Sequence, residues 1–144
     1  VNYFFFYILT KIFIMSKRVS FSLEIAFQSS PQLLFQYLST PSGLSEWFAD
    51  DVNSRGEIFT FFWDDGEETA KLLLKKNNEK VKFQWINDED SSDNEFFEFK
   101  IEVDEITKDV SLIITDFSDD DELEESKMLW ENSVATLKQV LGSS

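Results

Sequence analysis

The sequence contains no cysteine and no histidine among its 144 residues. These absences exclude disulfide bonds, thiol chemistry, zinc or haem sites built on either residue, and Ser-His-Asp or Cys-His catalytic groups. Any general acid or base has to be Asp, Glu, Tyr or Lys. With only two prolines and four glycines, the chain has no long linker of these residues. A single domain is therefore expected.

Basic residues are also scarce, with 13 Lys and Arg against 28 Asp and Glu and a net charge of −15. This balance argues against a nucleic-acid partner and against adhesion to anionic membranes. Residues 87–126 carry 17 of the acids and two lysines, a net charge of −15. One interpretation is solubility and protection of sheet edges. The other is docking of a basic protein partner on the acidic run Asp119, Asp120, Asp121 and Glu122.

Residues 1–14 are strongly apolar and aromatic, with Lys11 as their only charge. They lack the basic start and small-residue cleavage site of a signal peptide. As a helix they reach about 21 Å, short of the roughly 30 Å of a bilayer core. We expect Met15 to be the true start, residues 1–14 an upstream extension or apolar leader, and residues 15–144 one cytoplasmic domain. The alternative is a real membrane-proximal or exported N-terminus.

Aromatic residues are abundant, with 16 Phe and four Trp, and they follow strand and helix periods. Alternation predicts strands over 18–27, 57–63, 68–76, 80–86, 95–104 and 110–117. Helices are predicted over 30–39 and 42–48. A long C-terminal helix is expected to follow a cap at Ser118 and to end at Gly142. Its apolar stripe consists of Leu123, Trp130, Val134, Leu137 and Leu141.

The order of elements predicts an α+β protein with a helix-grip fold. A curved antiparallel sheet of about six or seven strands has to cover its apolar face, and only the C-terminal helix is long enough to lie across it. Two short helices follow the first strand. In the sheet, Ala70, Leu72 and Leu74 are expected to share the inner face of one strand.

Four local features, in this order, carry a family resemblance. They are the segment 29–41 after the first strand, the segment 43–50 with its Trp-Phe pair, the hairpins with Trp63 and Trp85, and Trp130-Glu131-Asn132 followed by Leu137. Over residues 19–141 the sequence resembles the START-like superfamily, also called SRPBCC or Bet v 1-like. Within it, the sequence is most similar to proteins related to the C-terminal domain of activators of the heat-shock chaperone ATPase.

A ligand cavity between the sheet and the C-terminal helix is the main candidate site, since apolar clefts bind small molecules. Its predicted lining is Trp47, Phe48, Phe61, Trp63, Phe83, Trp85, Phe97, Phe99, Trp130 and Val134. The alternative is that these rings simply fill the core. Buried indole groups need acceptors, and Thr60, Gln84 and Asn132 are the expected partners.

Catalytic and metal sites have weaker support, and we predict no catalytic residue, metal or cofactor. Some superfamily members are cyclases or dehydratases, for which Asp50, Asp51, Arg55 and Asp116 are the candidates near a cavity mouth. The loop 88–93 looks like a calcium loop, but its sixth position is Asp93 and its twelfth is Phe99, where Gly and Glu are required. The run 119–122 is expected to be solvated.

Three functions follow as hypotheses. The first is a non-catalytic domain that binds a small apolar or amphipathic ligand between the sheet and the helix. The second is a protein-interaction module that resembles the chaperone ATPase activator, and the third is a cyclase-like enzyme.

Overall fold

A computed structural model describes residues 17–86 and 95–143. The apolar leader 1–14 and the acidic loop 88–93 lie outside these residues, so the predictions made for them stay predictions. In chain order the elements are β1 (Arg18–Phe27), α1 (Pro31–Ser39), α2 (Pro41–Leu44), β2 (Asp51–Arg55), β3 (Ile58–Trp63), β4 (Gly66–Lys76), β5 (Lys80–Trp85), β6 (Phe96–Val103), β7 (Val110–Asp119), a 3-10 turn (Asp120–Glu122) and α3 (Leu123–Leu141).

The strands form one seven-stranded sheet in the order β1-β7-β6-β5-β4-β3-β2, with every neighbouring pair antiparallel. The sheet is curved, and α3 lies across its inner face, which confirms the predicted α+β helix-grip fold. β2 was not predicted. Val52 is its only buried residue, so its sequence carries no alternation of apolar and polar positions.

The second helix is shorter than predicted, since α2 ends at Leu44 and not at residue 48. Thr40 caps it, because its Oγ1 accepts a hydrogen bond from the Gly43 nitrogen at 3.0 Å. A Cβ at residue 43 would overlap the carbonyl oxygen of Gln36, so the close approach of α1 requires a glycine there. A hydrogen bond of 2.9 Å from Phe48 N to Leu44 O then continues the turn as far as Phe48.

The predicted cap of the long helix was wrong. Ser118 is buried in β7, and its Oγ donates to the Asp119 carbonyl oxygen at 2.7 Å. A 3-10 turn intervenes, so α3 begins at Leu123. Its predicted end is confirmed, because Gly142 closes the helix at φ 67°, a left-handed conformation that favours glycine.

The prediction that Leu74 shares the inner face of β4 was also wrong. The register between β4 and β5 shifts between Leu72 and Leu74. This β-bulge places Leu74 opposite Lys82 on the outer face, and Leu74 is 44% exposed. Ala70 and Leu72 keep their predicted side, opposite Trp85 and Phe83.

The core occupies the inner face of the sheet. The largest fully buried side chains include Phe61, Phe83, Phe97 and Phe99, and each such ring contributes about 1.5–3 kcal/mol by leaving water. From α3, the side chains of Trp130, Val134 and Leu137 are buried against this face. No helix in residues 17–86 and 95–143 is long and apolar enough to cross a membrane.

Candidate functional site

The centre of the sheet's inner face is filled by aromatic rings. Phe97 stacks on Phe83, with ring centroids 5.0 Å apart, and it contacts Trp85 at 4.7 Å. Phe61 meets Phe83 edge to face at 6.0 Å. These contacts hold the middle strands together and form a dense packing layer under the helix.

A cleft of about 290 Å³ opens beside this layer, between the sheet and the first half of α3. Its walls combine aromatic rings with one carboxylate and two hydroxyl groups. The lining residues are Phe48, Trp63, Asp116, Ser126, Leu129, Trp130 and Ser133.

The aromatic wall of the cleft is fixed by mutual contacts. Phe48 stacks on Trp130 with centroids 5.5 Å apart and meets Trp63 edge to face at 5.7 Å. The Trp63 indole Nε1 donates to the Phe48 carbonyl oxygen at 3.1 Å. Because each ring is held by a neighbour or a hydrogen bond, the wall is preorganised.

Asp116 is the carboxylate of the cleft. It lies opposite the buried Phe21 in the β1–β7 register and therefore on the inner face of the sheet. Its Oδ2 accepts from the Trp130 Nε1 at 2.9 Å, and its Oδ1 accepts from the Phe117 nitrogen at 2.7 Å. Burial raises the pKa of Asp116, while these two hydrogen bonds oppose the rise.

The two charges that act on the pKa of Asp116, Arg18 and Glu95, form an ion-pair network with Asp119. Arg18 Nε donates to Glu95 Oε2 at 2.8 Å, and its Nη1 lies 3.2 Å from Asp119 Oδ1. The hydrogen bond to Glu95 is the main reason that the pKa of Arg18 is raised. At longer range, Arg18 lowers the pKa of Asp116 and Glu95 raises it. The ion pairs of the described residues thus leave Asp116 without a cationic partner.

The predicted cavity residues fall into two groups. Three of them, Phe48, Trp63 and Trp130, line the cleft. The others pack around it or in the ring layer: they are Trp47, Phe61, Phe83, Trp85, Phe97, Phe99 and Val134. That all ten serve one ligand stays a prediction.

The expected acceptors for the indole groups were wrong for three of the tryptophans. Backbone carbonyl oxygens, and not Thr60 or Gln84, serve two of them. Trp47 Nε1 donates to the Tyr37 oxygen at 2.7 Å, and Trp63 donates to Phe48. Asp116, and not Asn132, serves Trp130. Backbone acceptors at such tertiary contacts leave no sequence signature.

The four candidate acid–base residues do not converge. Asp50 and Asp51 are exposed, and Asp51 Oδ1 accepts from the Val52 nitrogen at 2.9 Å. Arg55 borders a different groove, of about 450 Å³, on the β2–β3 hairpin. Of these four residues, Asp116 alone lines the cleft under the helix.

Sequence reasoning missed three lining residues, Ser126, Leu129 and Ser133. Ser126 and Ser133 lie four residues before and three residues after Trp130, so a 3.6-residue period places them on the same helix face. These serines were missed because an apolar stripe contains only apolar residues. Their spacing from Trp130 was the signal that could have identified them.

The predicted partner-facing run is exposed at Asp120, Asp121 and Glu122, while Asp119 is half-buried beside Arg18. Carboxylate oxygens of Asp119, Asp121 and Glu122 lie within 4.8 Å of one another. Exposed acidic groups often cluster without an ion, and we assign no metal to this run.

Several solved structures share this architecture. The Aha1 dimer from Colwellia psychrerythraea is similar with a TM-score of 0.73 and 22% identity, over 85% of this chain and 96% of that one. BfR322 from Bacteroides fragilis is 34% identical with a TM-score of 0.60, over 86% and 91% of the two chains. MLL2253 from Mesorhizobium loti has a TM-score of 0.70 and 18% identity, over 86% and 97%.

None of the curated proteins matches the sequence. The likeness to Aha1 agrees with the resemblance to chaperone ATPase activators that the sequence motifs carry. At 22% identity, it shows the fold alone. The family model of the START-like superfamily domain matches residues 15–143, and the chain therefore belongs to the START-like superfamily.

Proposed function

We propose that the protein is a non-catalytic module that binds a small amphipathic molecule in the cleft under α3. The observation that carries this proposal is an open cleft with a preorganised aromatic wall and a partly buried carboxylate. Its volume of about 290 Å³ lies just below the roughly 300–1,000 Å³ found for ligand pockets. The ligand is therefore the size of one or two fused rings or a short acyl chain.

The distribution of polar groups supports an amphipathic ligand. Phe48, Trp63 and Trp130 offer apolar ring surface, while Asp116, Ser126 and Ser133 offer oxygen atoms. Asp116 is the one ionisable side chain among the lining residues. With Asp116 as the one acid–base group in the lining, we favour binding over a cyclase-like reaction.

The four tryptophans provide a direct test, because each indole N–H gives its own NMR resonance. We expect 1-naphthalenemethanol to shift the indole resonances of Trp63 and Trp130, which line the cleft. Trp85 lies outside the cleft lining and packs on Phe61 and Phe97, so its resonance serves as the internal reference.

A matched pair of variants locates the binding. Ser133→Phe places a ring in the cleft and should abolish the shifts, while Ala135→Phe adds the same ring at an exposed position of α3. Shifts that survive Ser133→Phe, or a wild-type protein that responds neither to 1-naphthalenemethanol nor to 1-octanol, would contradict the proposed function.

A second candidate function is docking of a basic protein. It is favoured by Met128 and Leu129, which are 60% and 62% exposed on α3, close to the acidic turn. We expect a partner captured at low salt to be released near 0.3 M salt, where exposed charges are screened beyond about 6 Å. The double variant Asp120→Lys, Asp121→Lys should lose that partner, and its retention would count against this candidate.

A further inference from the structure

The carboxylate of Asp116 has unused capacity to accept hydrogen bonds. Within residues 17–86 and 95–143, each of its oxygens receives one hydrogen bond, from Trp130 and from the Phe117 backbone. An ionised carboxylate has about four acceptor positions, so about two remain. Since Asp116 lines the cleft, a ligand that enters the cleft can reach them.

Three aromatic rings surround the same space, namely Phe48, Trp63 and Trp130. The face of an aromatic ring attracts a cation within about 6 Å of its centroid, and Trp does so most strongly. Phe48 is stacked between Phe97 and Trp130, which leaves the two indoles to supply the ring faces. A partly buried carboxylate beside these indoles is thus complementary to a positive charge on an apolar body.

The surrounding charges also favour a cationic ligand. Arg18, the cation that lowers the pKa of Asp116 from a distance, is already held by Glu95 and Asp119. The chain as a whole carries a charge of −15, which draws cations towards the protein and repels anions. A ligand with a carboxylate or phosphate would have to approach Asp116 without a basic side chain in the lining.

We propose that Asp116 is the recognition group of the cleft and that the ligand class is an organic cation, a protonated amine carried on an aromatic ring or a short apolar chain. In this arrangement the ammonium group donates to the free positions of Asp116, and the apolar body packs against Phe48 and Trp63. This inference rests on the proposed function, whose site it shares and whose ligand it specifies.

Three probes of nearly the same shape test the charge preference: 1-naphthalenemethylamine, 1-naphthalenemethanol and 1-naphthoate. Each is titrated at pH 7 while the indole resonances of Trp63 and Trp130 are followed. We expect the amine to bind about tenfold more tightly than the alcohol, because a charge-assisted hydrogen bond is about twice as strong as a neutral one. The carboxylate should bind most weakly.

Asp116→Asn keeps the shape of the side chain but removes the charge. Its single oxygen can accept from Trp130 or from the Phe117 nitrogen, but not from both. In this variant the ratio of amine to alcohol affinity should fall to about one. Asp120→Asn is the control, since it removes one charge from an exposed position outside the cleft lining. Its ratio should stay at the wild-type value, which separates a local contact from the effect of net charge.

The outcomes distinguish this inference from the proposed function. Equal affinity of the wild-type protein for amine and alcohol overturns the cation preference and leaves the binding function intact. An unchanged ratio in Asp116→Asn overturns the role of Asp116. A complete lack of shifts with all three probes overturns both. The wild-type ratio needs no variant, so it decides the cation preference even if Asp116→Asn does not fold.

Discussion

The inner face of the sheet has a closed part, which side chains fill, and an open part, which borders the cleft. At the centre, Phe61, Phe83 and Phe97 are fully buried and touch one another. At the end near the start of α3, the inner face carries Asp116 and a cleft. The same helix contributes to both parts: Val134 and Leu137 are buried in the core, while Ser126 and Ser133 line the cleft.

The inner residues of β7 show where the change occurs. Val110, Leu112 and Ile114 are apolar and buried, while Asp116 and Ser118 continue the same face with polar groups. A strand built only for packing would carry an apolar side chain at residue 116, because a buried carboxylate loses hydration. The fold tolerates Asp116 because each of its oxygens accepts one hydrogen bond, from Trp130 and from the Phe117 backbone. This comparison places the packing that stabilises the fold in the closed part and the proposed ligand site in the open one.

The largest effect is expected in the closed part. Phe97→Ala should lower the free energy of unfolding by about 3–5 kcal/mol, the usual cost of a cavity where a buried ring stood. Phe96→Ala is the matched control on the outer face of β6, where the ring contacts Phe117 at 5.2 Å and lies 4.0 Å from Lys82 Nζ. Phe96→Ala should lower the free energy of unfolding by only about 1 kcal/mol. Urea unfolding measures both, and equal costs would contradict the assignment of the core.

Two leucines of α3 sharpen the comparison. Leu137 is fully buried, and Leu137→Ala should cost about 2–5 kcal/mol. Leu129 is 62% exposed at the cleft, and Leu129→Ala should change stability by less than about 0.5 kcal/mol. The same variant should weaken the binding of 1-naphthalenemethanol. A stable Leu129→Ala protein with unchanged affinity would remove Leu129 from the site.

The sequence predicted the closed part well because periodicity reports burial. The bounds of β1 were predicted as observed, and the alternation in β3, β5 and β6 placed the aromatic side chains on the inner face. The helix stripe likewise predicted the burial of Val134 and Leu137. Where periodicity is interrupted, prediction failed: the bulge at Leu72–Leu74 moved Leu74 to the outer face.

The open part was harder to predict, since it depends on tertiary contacts between polar groups. Asp116 was expected only near a cavity mouth, and its bond to Trp130 joins β7 to α3 across 14 positions of the chain. Ser126 and Ser133 were missed because a serine on an apolar helix face has no distinctive pattern. Phe48 is placed by the turn that follows α2, in which its nitrogen donates a hydrogen bond to the Leu44 carbonyl oxygen. The geometry of this turn is not visible in the pattern of apolar residues.

A smaller effect should appear in the pH dependence of stability. Because burial raises the pKa of Asp116 above its ordinary value, the folded state binds this proton more tightly than the unfolded chain does. The contribution of Asp116 to stability is therefore fully present below about pH 4, its ordinary value, and is lost as pH rises through the raised pKa. Asp116→Asn lacks this loss, so its stability relative to wild type should increase with pH across that window.

Urea unfolding between pH 3 and pH 8 measures this difference. Asp120→Asn removes the same charge from an exposed position and corrects for the general relief of charge repulsion. If the stability of Asp116→Asn relative to wild type falls with rising pH after this correction, then the hydrogen bonds and Arg18 outweigh burial, and the pKa of Asp116 is lowered.

The smallest effect is that of the Trp130 hydrogen bond on the pKa of Asp116. The Trp130 indole donates to Asp116 Oδ2 at 2.9 Å and so stabilises its ionised form, while burial opposes ionisation. Trp130→Phe keeps a ring but removes this donor, so the pKa of Asp116 should rise further. A carboxyl-carbon NMR titration measures this shift, and Leu129→Ala provides a variant of the same cleft that leaves the hydrogen bond in place. Since an amine needs the ionised carboxylate, Trp130→Phe should also lose more affinity for 1-naphthalenemethylamine than for the alcohol near the raised pKa. An unchanged pKa would show that the indole positions Asp116 without controlling its charge. The pKa of Asp116 would then depend on burial and on the hydrogen bond from the Phe117 nitrogen.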